Sequence, residues 1–332
     1  MRAIIRDVEY VLPERDLTNE ALTGMFPDWP VEKIARMTGI RHRRISGPDE
    51  FTSDLAVRAA EKLFSKGGVG ANDIDALMLC TMTPDYQFPA TACLVQTRLG
   101  LPKTCNAFDL SMGCTGYIYG LGLAKGLIET GQVRNLLFIT SDTLTKILRP
   151  DDKGTRTIFG DGAAATWLTG VPGDADFIGP FDYGTSGSIK TMAAVAGGMR
   201  GSARRLAGIP WATEDYAFMD GPEVLNFTID VVPGAVTRAL DRAGLRLEDI
   251  DLFVFHQANK YMMEYLRQKM GIPKERFSVQ IDFSGNTVSS TIPIALTAER
   301  EAGRLKDGMR LLLVGFGVGH SWATTVVRWS TT

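Results

Sequence analysis

The sequence predicts an α/β protein made of two similar halves, each a sheet with helices on its faces. If the two sheets share central helices, the halves stack as five layers, α-β-α-β-α. Two observations carry this expectation. Short apolar runs alternate with helical stretches, the pattern of βαβ units. The chain also repeats itself, which at this length points to a duplicated unit. ANDIDALMLCTMTP (71–84) matches LEDIDLFVFHQANK (247–260): a charged helix end, Asp-Ile-Asp, an apolar strand and a polar strand end. AFDLSMGCTGYIYGLGLAKGLIETGQ (107–132) matches VQIDFSGNTVSSTIPIALTAEREAGR (279–304): a short strand with an Asp, a tight Ser/Gly turn and a long helix. VRNLLFITSD (133–142) matches GMRLLLVGFG (308–317), a buried strand ending in a polar or glycine-rich loop.

The elements follow in order. The first residues, MRAIIRDVEYVLPERD, carry charge too early and too often for a signal peptide. The first half is expected over 1–170. A turn-rich stretch, Val171-Pro172-Gly173, marks the boundary, and the second half covers 171–332. Residues 184–222 are rich in Gly, Arg and Met with little periodicity, and read as an insertion or lid over the second half. The 332 residues suffice for a large core, and 45% apolar with 22% charged is ordinary for a globular chain. A net charge of -2 sets up no field for nucleic acid or membrane, and no apolar run is long enough to span a bilayer. Four cysteines show no CxxC pairing and no nearby His cluster, so neither a disulfide framework nor a zinc site is expected, and a reducing cytoplasm is the natural setting.

In open α/β sheets ligands bind outside the carboxyl ends of the strands, so chemistry is sought there in both halves. Cys114 follows one such end and opens the helix expected at 115–129. That helix is apolar all round, and its glycines (Gly116, Gly120, Gly122, Gly126) suggest close packing. At a helix N-terminus the free N–H groups and macrodipole favour an anion, so a lowered thiol pKa and a nucleophile are expected. The plain alternative is a buried structural cysteine, and Cys80, Cys93 and Cys105 are assigned to it. His256 arrives on the equivalent edge of the second half; His42, in RHRR (41–44), reads as a solvated basic face. Asn286 occupies nearly the turn that Cys114 occupies in the first half, although Asn after Gly is most often local turn chemistry. GFGVGHSW (315–322) reads either as a turn between the last strands or as a close backbone approach that aims an N–H at a carbonyl oxygen.

Taken together, GCTG (113–116), HQAN (256–259), SGNT (284–287), FGVGHSW (316–322) and FGDGAAA (159–165), with TGIR (38–41), resemble the β-ketoacyl-acyl carrier protein synthase III family of the thiolase superfamily. The resemblance covers nearly the whole chain. It implies a thiolase-like fold, a homodimer, and a decarboxylating Claisen condensation in fatty acid biosynthesis. Cys114 would carry the acyl group, the N–H groups of Cys114 and Val318 would form the oxyanion hole, and His256 and Asn286 would stabilise the enolate of a malonyl-acyl carrier protein. Phe88 would reach into the partner's acyl pocket and Phe316 would pack beside His256. No cofactor is implied, coenzyme A or phosphopantetheine thioesters being substrates.

Four departures bear on the acyl donor. Lys33 and Lys153 stand where the family places a tryptophan and an arginine around the adenine of coenzyme A, with Trp29 nearby. Tyr261 replaces an arginine often facing the carrier protein, close to Ala258 and Lys260 of the expected substrate-binding loop. Pro222 stands where an asparagine commonly contacts pantetheine, and His320 replaces an aromatic residue. An acyl-carrier-protein donor or an unusual acyl-CoA is therefore favoured over acetyl-CoA, with Arg204, Arg205, Lys260, Arg267 and Lys269 offering charge to an acidic carrier. Two alternatives stay open: a secondary-metabolism relative that primes another pathway or transfers acyl groups to oxygen or nitrogen, and a thiolase-like scaffold subunit without chemistry.

Overall fold

The structure, a computed structural model, describes residues 1–187, 192–194 and 216–330. Most of the lid expected at 184–222, including Arg204 and Arg205, lies outside the described residues. Strand β1 (Arg2–Val11) leads into a ribbon of β2 (Arg15–Thr18) and β3 (His42–Ile45). Then follow β4 (Ala76–Cys80), β5 (Asn106–Leu110), β6 (Asn135–Asp142) and β7 (Gly162–Val171). The second half holds β8 (Ile178–Thr185), the short pair β9 (Met192–Ala194) and β10 (Ala217–Met219), β11 (Leu252–Phe255), β12 (Arg310–Gly317) and β13 (Ser321–Arg328).

Among the described residues, besides the β2-β3 and β9-β10 pairs, two larger sheets form, ordered β1-β7-β6-β4-β5 and β8-β13-β12-β11. In the first, β6, β4 and β5 run parallel while β7 is antiparallel to both its neighbours. In the second, β11 and β12 are parallel and β13 is antiparallel to β12 and β8. The strands thus correspond as β4/β11 and β6/β12, the pairs matched by the repeats, and also as β7/β13 and β1/β8, which the repeats did not include. The interior strand ALMLC (76–80) and the edge strand LFVF (252–255) are both apolar throughout because both of their faces are covered.

The strand expected at 279–282 does not form. Phe277 makes one parallel bridge to Phe253, and beyond it the backbone finds other partners. The Gln280 N–H donates to the Gln257 side chain, and the Asp282 carbonyl accepts from the N–H groups of Arg41 and His42. With its polar groups satisfied there, the segment has no need of a ladder beside β11, so the second sheet has four strands to the first sheet's five.

The helix Gly116–Glu129 touches β1 and β6 of one sheet and β8 and β12 of the other, and Thr291–Glu301 touches β1, β7 and β11. These two make the shared middle layer. Thr52–Ser65 and Thr91–Arg98 cover the first sheet, while Gly221–Ala243 covers the second with Lys260–Lys269 beside it. A Cβ at Gly116, Gly120 or Gly122 would run into Cys80, Phe138 or Tyr183, so these three glycines let the middle helix sit between two sheets. Gly126 has open space, and Leu123 is exposed, so the helix is not buried on every side as its composition suggested.

Candidate active site

Cys114 and Asn286 each end a tight turn at the start of a middle-layer helix, and each turn is pressed against the opposite half. Thr115, the residue before the Gly116–Glu129 helix, hydrogen-bonds Ser321 of the second half through its hydroxyl at 2.9 Å. Ser290, just before the Thr291–Glu301 helix, donates to the Thr140 carbonyl at 3.1 Å, and Ser289 donates to Asp142 at 3.0 Å, both in the first half. Glycines make the approaches possible. A Cβ at Gly317 would stand 2.9 Å from the Cys114 Cβ and 3.0 Å from its sulfur; a Cβ at Gly160 would strike the Ser284 carbonyl. The two glycine-rich motifs, FGDG and FGVG, therefore play matching parts in the two halves.

Cys114, His256, Asn286, Phe316, Gly317, Val318 and Ala258 line one cleft of about 530 Å³, counted out to its open mouth. Ile158, Phe159, Met219, Val224 and Met262 supply its apolar walls. Beside the sulfur, Leu144, Leu148, Phe159 and Val288 form a small buried apolar cluster with Cys114. His256 leaves the end of β11 with its Nδ1 2.7 Å from the Thr291 hydroxyl. Its ring meets Phe316 edge-on at 5.4 Å. The Asn286 backbone is clamped to the first half, its N–H donating to the Ile158 carbonyl and its carbonyl accepting from Gly160 N–H. Its side-chain oxygen accepts the Val288 N–H at 2.9 Å, which turns the NH₂ group toward His256 Nε2, 3.5 Å away.

The electrostatics correct one expectation. Burial pushes the Cys114 thiol up to about 12, with nearby Asp142 adding to it. The N–H groups of Cys114 and Val318 pull the other way and do not overcome it. The helix-end reading of the sequence saw those N–H groups and missed the desolvation of a site enclosed by both halves. Asp142 is itself raised to about 7, by burial first, while the Met82 N–H, Ser289 and Thr81 hold it down. Burial lowers His256 to about 3, so its imidazole is neutral at working pH.

The remaining expected residues lie apart from this cleft. The ammonium groups of Lys33 and Lys153 sit over the Trp29 ring, 4.9 and 5.8 Å from its centroid, and Lys153 pairs with Asp28. Lys260 is exposed and opens the Lys260–Lys269 helix, its stem packed on Gly39. Phe88 is 82% exposed and does not line the cleft of its own chain. Arg267 forks onto Glu264, and Lys269 donates to the Ile229 carbonyl. Of the cysteines read as structural, Cys80 and Cys105 are buried but Cys93 is exposed. Thr291, Val288 and Asp142 escaped the sequence reading. No helix among the described residues is long and apolar enough to cross a membrane.

A thiol under two backbone N–H groups, with an imidazole and a carboxamide beside it in a cleft between two stacked sheets, defines the class as an acyltransferase of the thiolase fold. Comparison with known proteins narrows this. The family described as 3-oxoacyl-[acyl-carrier-protein (ACP)] synthase III matches residues 108–187, and its C-terminal counterpart matches 240–329. The β-ketoacyl-[acyl-carrier-protein] synthase III of Caldanaerobacter subterraneus is 38% identical over 323 residues, spanning 96% of this chain and 95% of the relative. A crystal structure of a 3-oxoacyl-(acyl-carrier-protein) synthase III is 48% identical with a TM-score of 0.95, covering 99% of this chain and 100% of that one. The Thermus thermophilus enzyme of the same name is 36% identical with a TM-score of 0.91, covering 99% and 100%. The chain belongs to the β-ketoacyl-acyl carrier protein synthase III family, and is a condensing acyltransferase of fatty acid biosynthesis.

Proposed function

We propose that the chain joins an acyl thioester to malonyl-acyl carrier protein through an acyl group held on Cys114. The Cys114 sulfur attacks the donor's carbonyl carbon, the donor's C–S bond breaks, and the thiol proton ends on the departing sulfur. The N–H groups of Cys114 and Val318, which already bear on that sulfur, hold the oxyanion of the tetrahedral step. Malonyl thioester then loses its carboxylate as carbon dioxide, and the electron pair of that C–C bond becomes an enolate. The enolate oxygen is held by His256 and Asn286. Its carbon attacks the acyl-cysteine, a C–C bond forms, and the Cys114 sulfur leaves and takes up one proton from water, the proton that the decarboxylating condensation consumes. Enolate charge exists only during reaction, so fixed donors at that oxygen favour the transition state selectively. The reading needs no resident cofactor; coenzyme A or phosphopantetheine enters as part of the substrate.

The observation that carries this is the convergence of Cys114 from one half with His256 and Asn286 from the other on a single cleft. Two further readings join it. Phe88, exposed beside the exposed Tyr86, fits a homodimer in which it enters the partner's acyl pocket. An adenine stacking at Trp29 would have to displace Lys33 and Lys153, so a carrier-bound or unusual CoA donor is favoured over acetyl-CoA. The same reading puts the protein in the cytoplasm, with malonyl-acyl carrier protein as its substrate. Incubation with a panel of acyl-CoAs and acyl-acyl carrier proteins, followed by intact mass, tests the acyl-enzyme, and carbon dioxide release from malonyl-acyl carrier protein tests the condensation. No adduct from any donor refutes the enzyme reading in favour of a scaffold. An adduct without carbon dioxide release refutes condensation in favour of transfer to oxygen or nitrogen.

A further inference from the structure

For His256 and Asn286 to act together on one oxygen, both must present N–H bonds to the cleft. A neutral imidazole has one ring proton, and the partner of its other nitrogen decides where that proton sits. The inference below rests on the proposed condensation for its consequence, but not for its geometry.

We infer that Thr291 is a positioning residue: its hydroxyl donates to Nδ1 of His256 and thereby fixes the imidazole proton on Nε2, beside the Asn286 amide. Three observations support this. The Thr291 Oγ1 to His256 Nδ1 distance is 2.7 Å. That length sits in the middle of the range for a hydroxyl donor, about 2.5–3.0 Å, and at the lower end of the range for a ring N–H donor, about 2.7–3.2 Å. The rival acceptor for the same hydroxyl proton, the Val288 carbonyl one turn back, is farther off at 3.1 Å. Finally, the Asn286 NH₂ lies 3.5 Å from His256 Nε2, at the outer limit of a hydrogen bond. Two donors side by side at that separation do not bond each other and are free to share a third atom, the geometry an enolate oxygen needs.

Val288 completes the arrangement. It is fully buried and holds φ 57°, the left-handed region that a β-branched residue rarely enters. In that conformation its N–H takes the Asn286 side-chain oxygen, which fixes the amide orientation. A backbone strain of this kind persists only where its surroundings enforce it, and it recurs at functional sites. One strained residue thus orients the carboxamide, and one hydroxyl orients the imidazole. Without Thr291 the Asn286 N–H would draw the lone pair to Nε2, moving the ring proton to Nδ1 and removing one of the two donors.

The chain has three histidines, so protein labelled with ¹⁵N-histidine gives a readable imidazole spectrum. The His256 signals are identified by their loss in His256→Asn. The expected result is a neutral His256 protonated on Nε2 in the wild type and in Thr291→Ser, shifting toward Nδ1 in Thr291→Val. In parallel, carbon dioxide release from malonyl-acyl carrier protein should fall at least about ten-fold in Thr291→Val, short of the roughly 10²–10³-fold loss of a donor outright. Acyl loading of Cys114 should stay within about two-fold, since that step uses the backbone N–H groups, and serine should restore release. A wild-type His256 protonated on Nδ1 overturns the inference, whether or not the valine variant folds. So does a valine variant that keeps the Nε2 proton, or a loss of release that serine does not rescue. If the wild type releases no carbon dioxide, the proposed condensation fails, and the tautomer result still decides the role of Thr291.

Discussion

The raised thiol of Cys114 has a direct chemical signature. Only the thiolate is alkylated by iodoacetamide, so the rate follows the ionised fraction. With Cys114 at about 12, that fraction at pH 7 is about 10⁻⁵, against about 3% for an ordinary cysteine near 8.5. Alkylation at neutral pH should therefore run about 10²-fold slower than for an unperturbed thiol, the about 10³-fold loss of thiolate being partly offset by the greater nucleophilicity of a high-pKa thiolate, before any slowing by limited access to the cleft. Access lowers the whole curve equally, so the slope is the cleaner test. The logarithm of the rate should rise by about one per pH unit from pH 6 to 10, with no plateau. The assay is timed labelling with peptide mapping, which separates Cys114 from the exposed Cys93. A plateau below about pH 9 refutes the claim that burial dominates, and restores the helix-end activation expected from the sequence.

Other perturbations follow from the same contacts. Asp142→Asn removes a carboxylate that raises Cys114, so the alkylation curve should move to lower pH; because Asp142 sits at about 7, the displacement should be visible only above neutral pH, and an unmoved curve refutes the coupling. Gly317→Ala places a methyl 3.0 Å from the Cys114 sulfur and must displace the loop carrying the Val318 N–H; acyl loading followed by intact mass should slow by about 10²–10³-fold, and loading at the wild-type rate would remove that N–H from the mechanism. Asn286→Ala should still load an acyl group but condense about 10²–10³-fold more slowly, read as carbon dioxide release; equal loss of both steps would show general damage to the cleft. Within one helix, Gly120→Ala should cost about 1–3 kcal/mol by collision with Phe138, whereas Gly126→Ala, with open space, should gain up to about 1 kcal/mol. Denaturant midpoints check the pair, and equal signs would refute the packing account.

Much of the site was legible because the chain is duplicated. Aligning strand ends across the repeats brought out Cys114, His256 and Asn286 together, and the structure sets all three on one cleft. Phe316 lies against His256 as the resemblance implied. What stayed hidden depended on distance along the chain or on enclosure. Thr291 is 35 residues from the histidine it touches, and nothing local in VSST marks it out. The thiol's direction was misread because helix-end logic is local, while desolvation is set by both halves at once. The expected strand at 279–282 carried a plausible alternating pattern, but Gln257, Arg41 and His42 took its backbone partners. No periodicity in the segment itself records that competition.

The middle layer constrains how this protein can be divided. Each half covers only one side of the Gly116–Glu129 and Thr291–Glu301 helices, and takes its neighbour's strands as the other wall. Cutting the chain near Gly173 would bare apolar surface on both fragments, so neither is built to stand alone. Duplication here did not yield two modules on a tether but one object with an internal seam, and the candidate site lies along that seam.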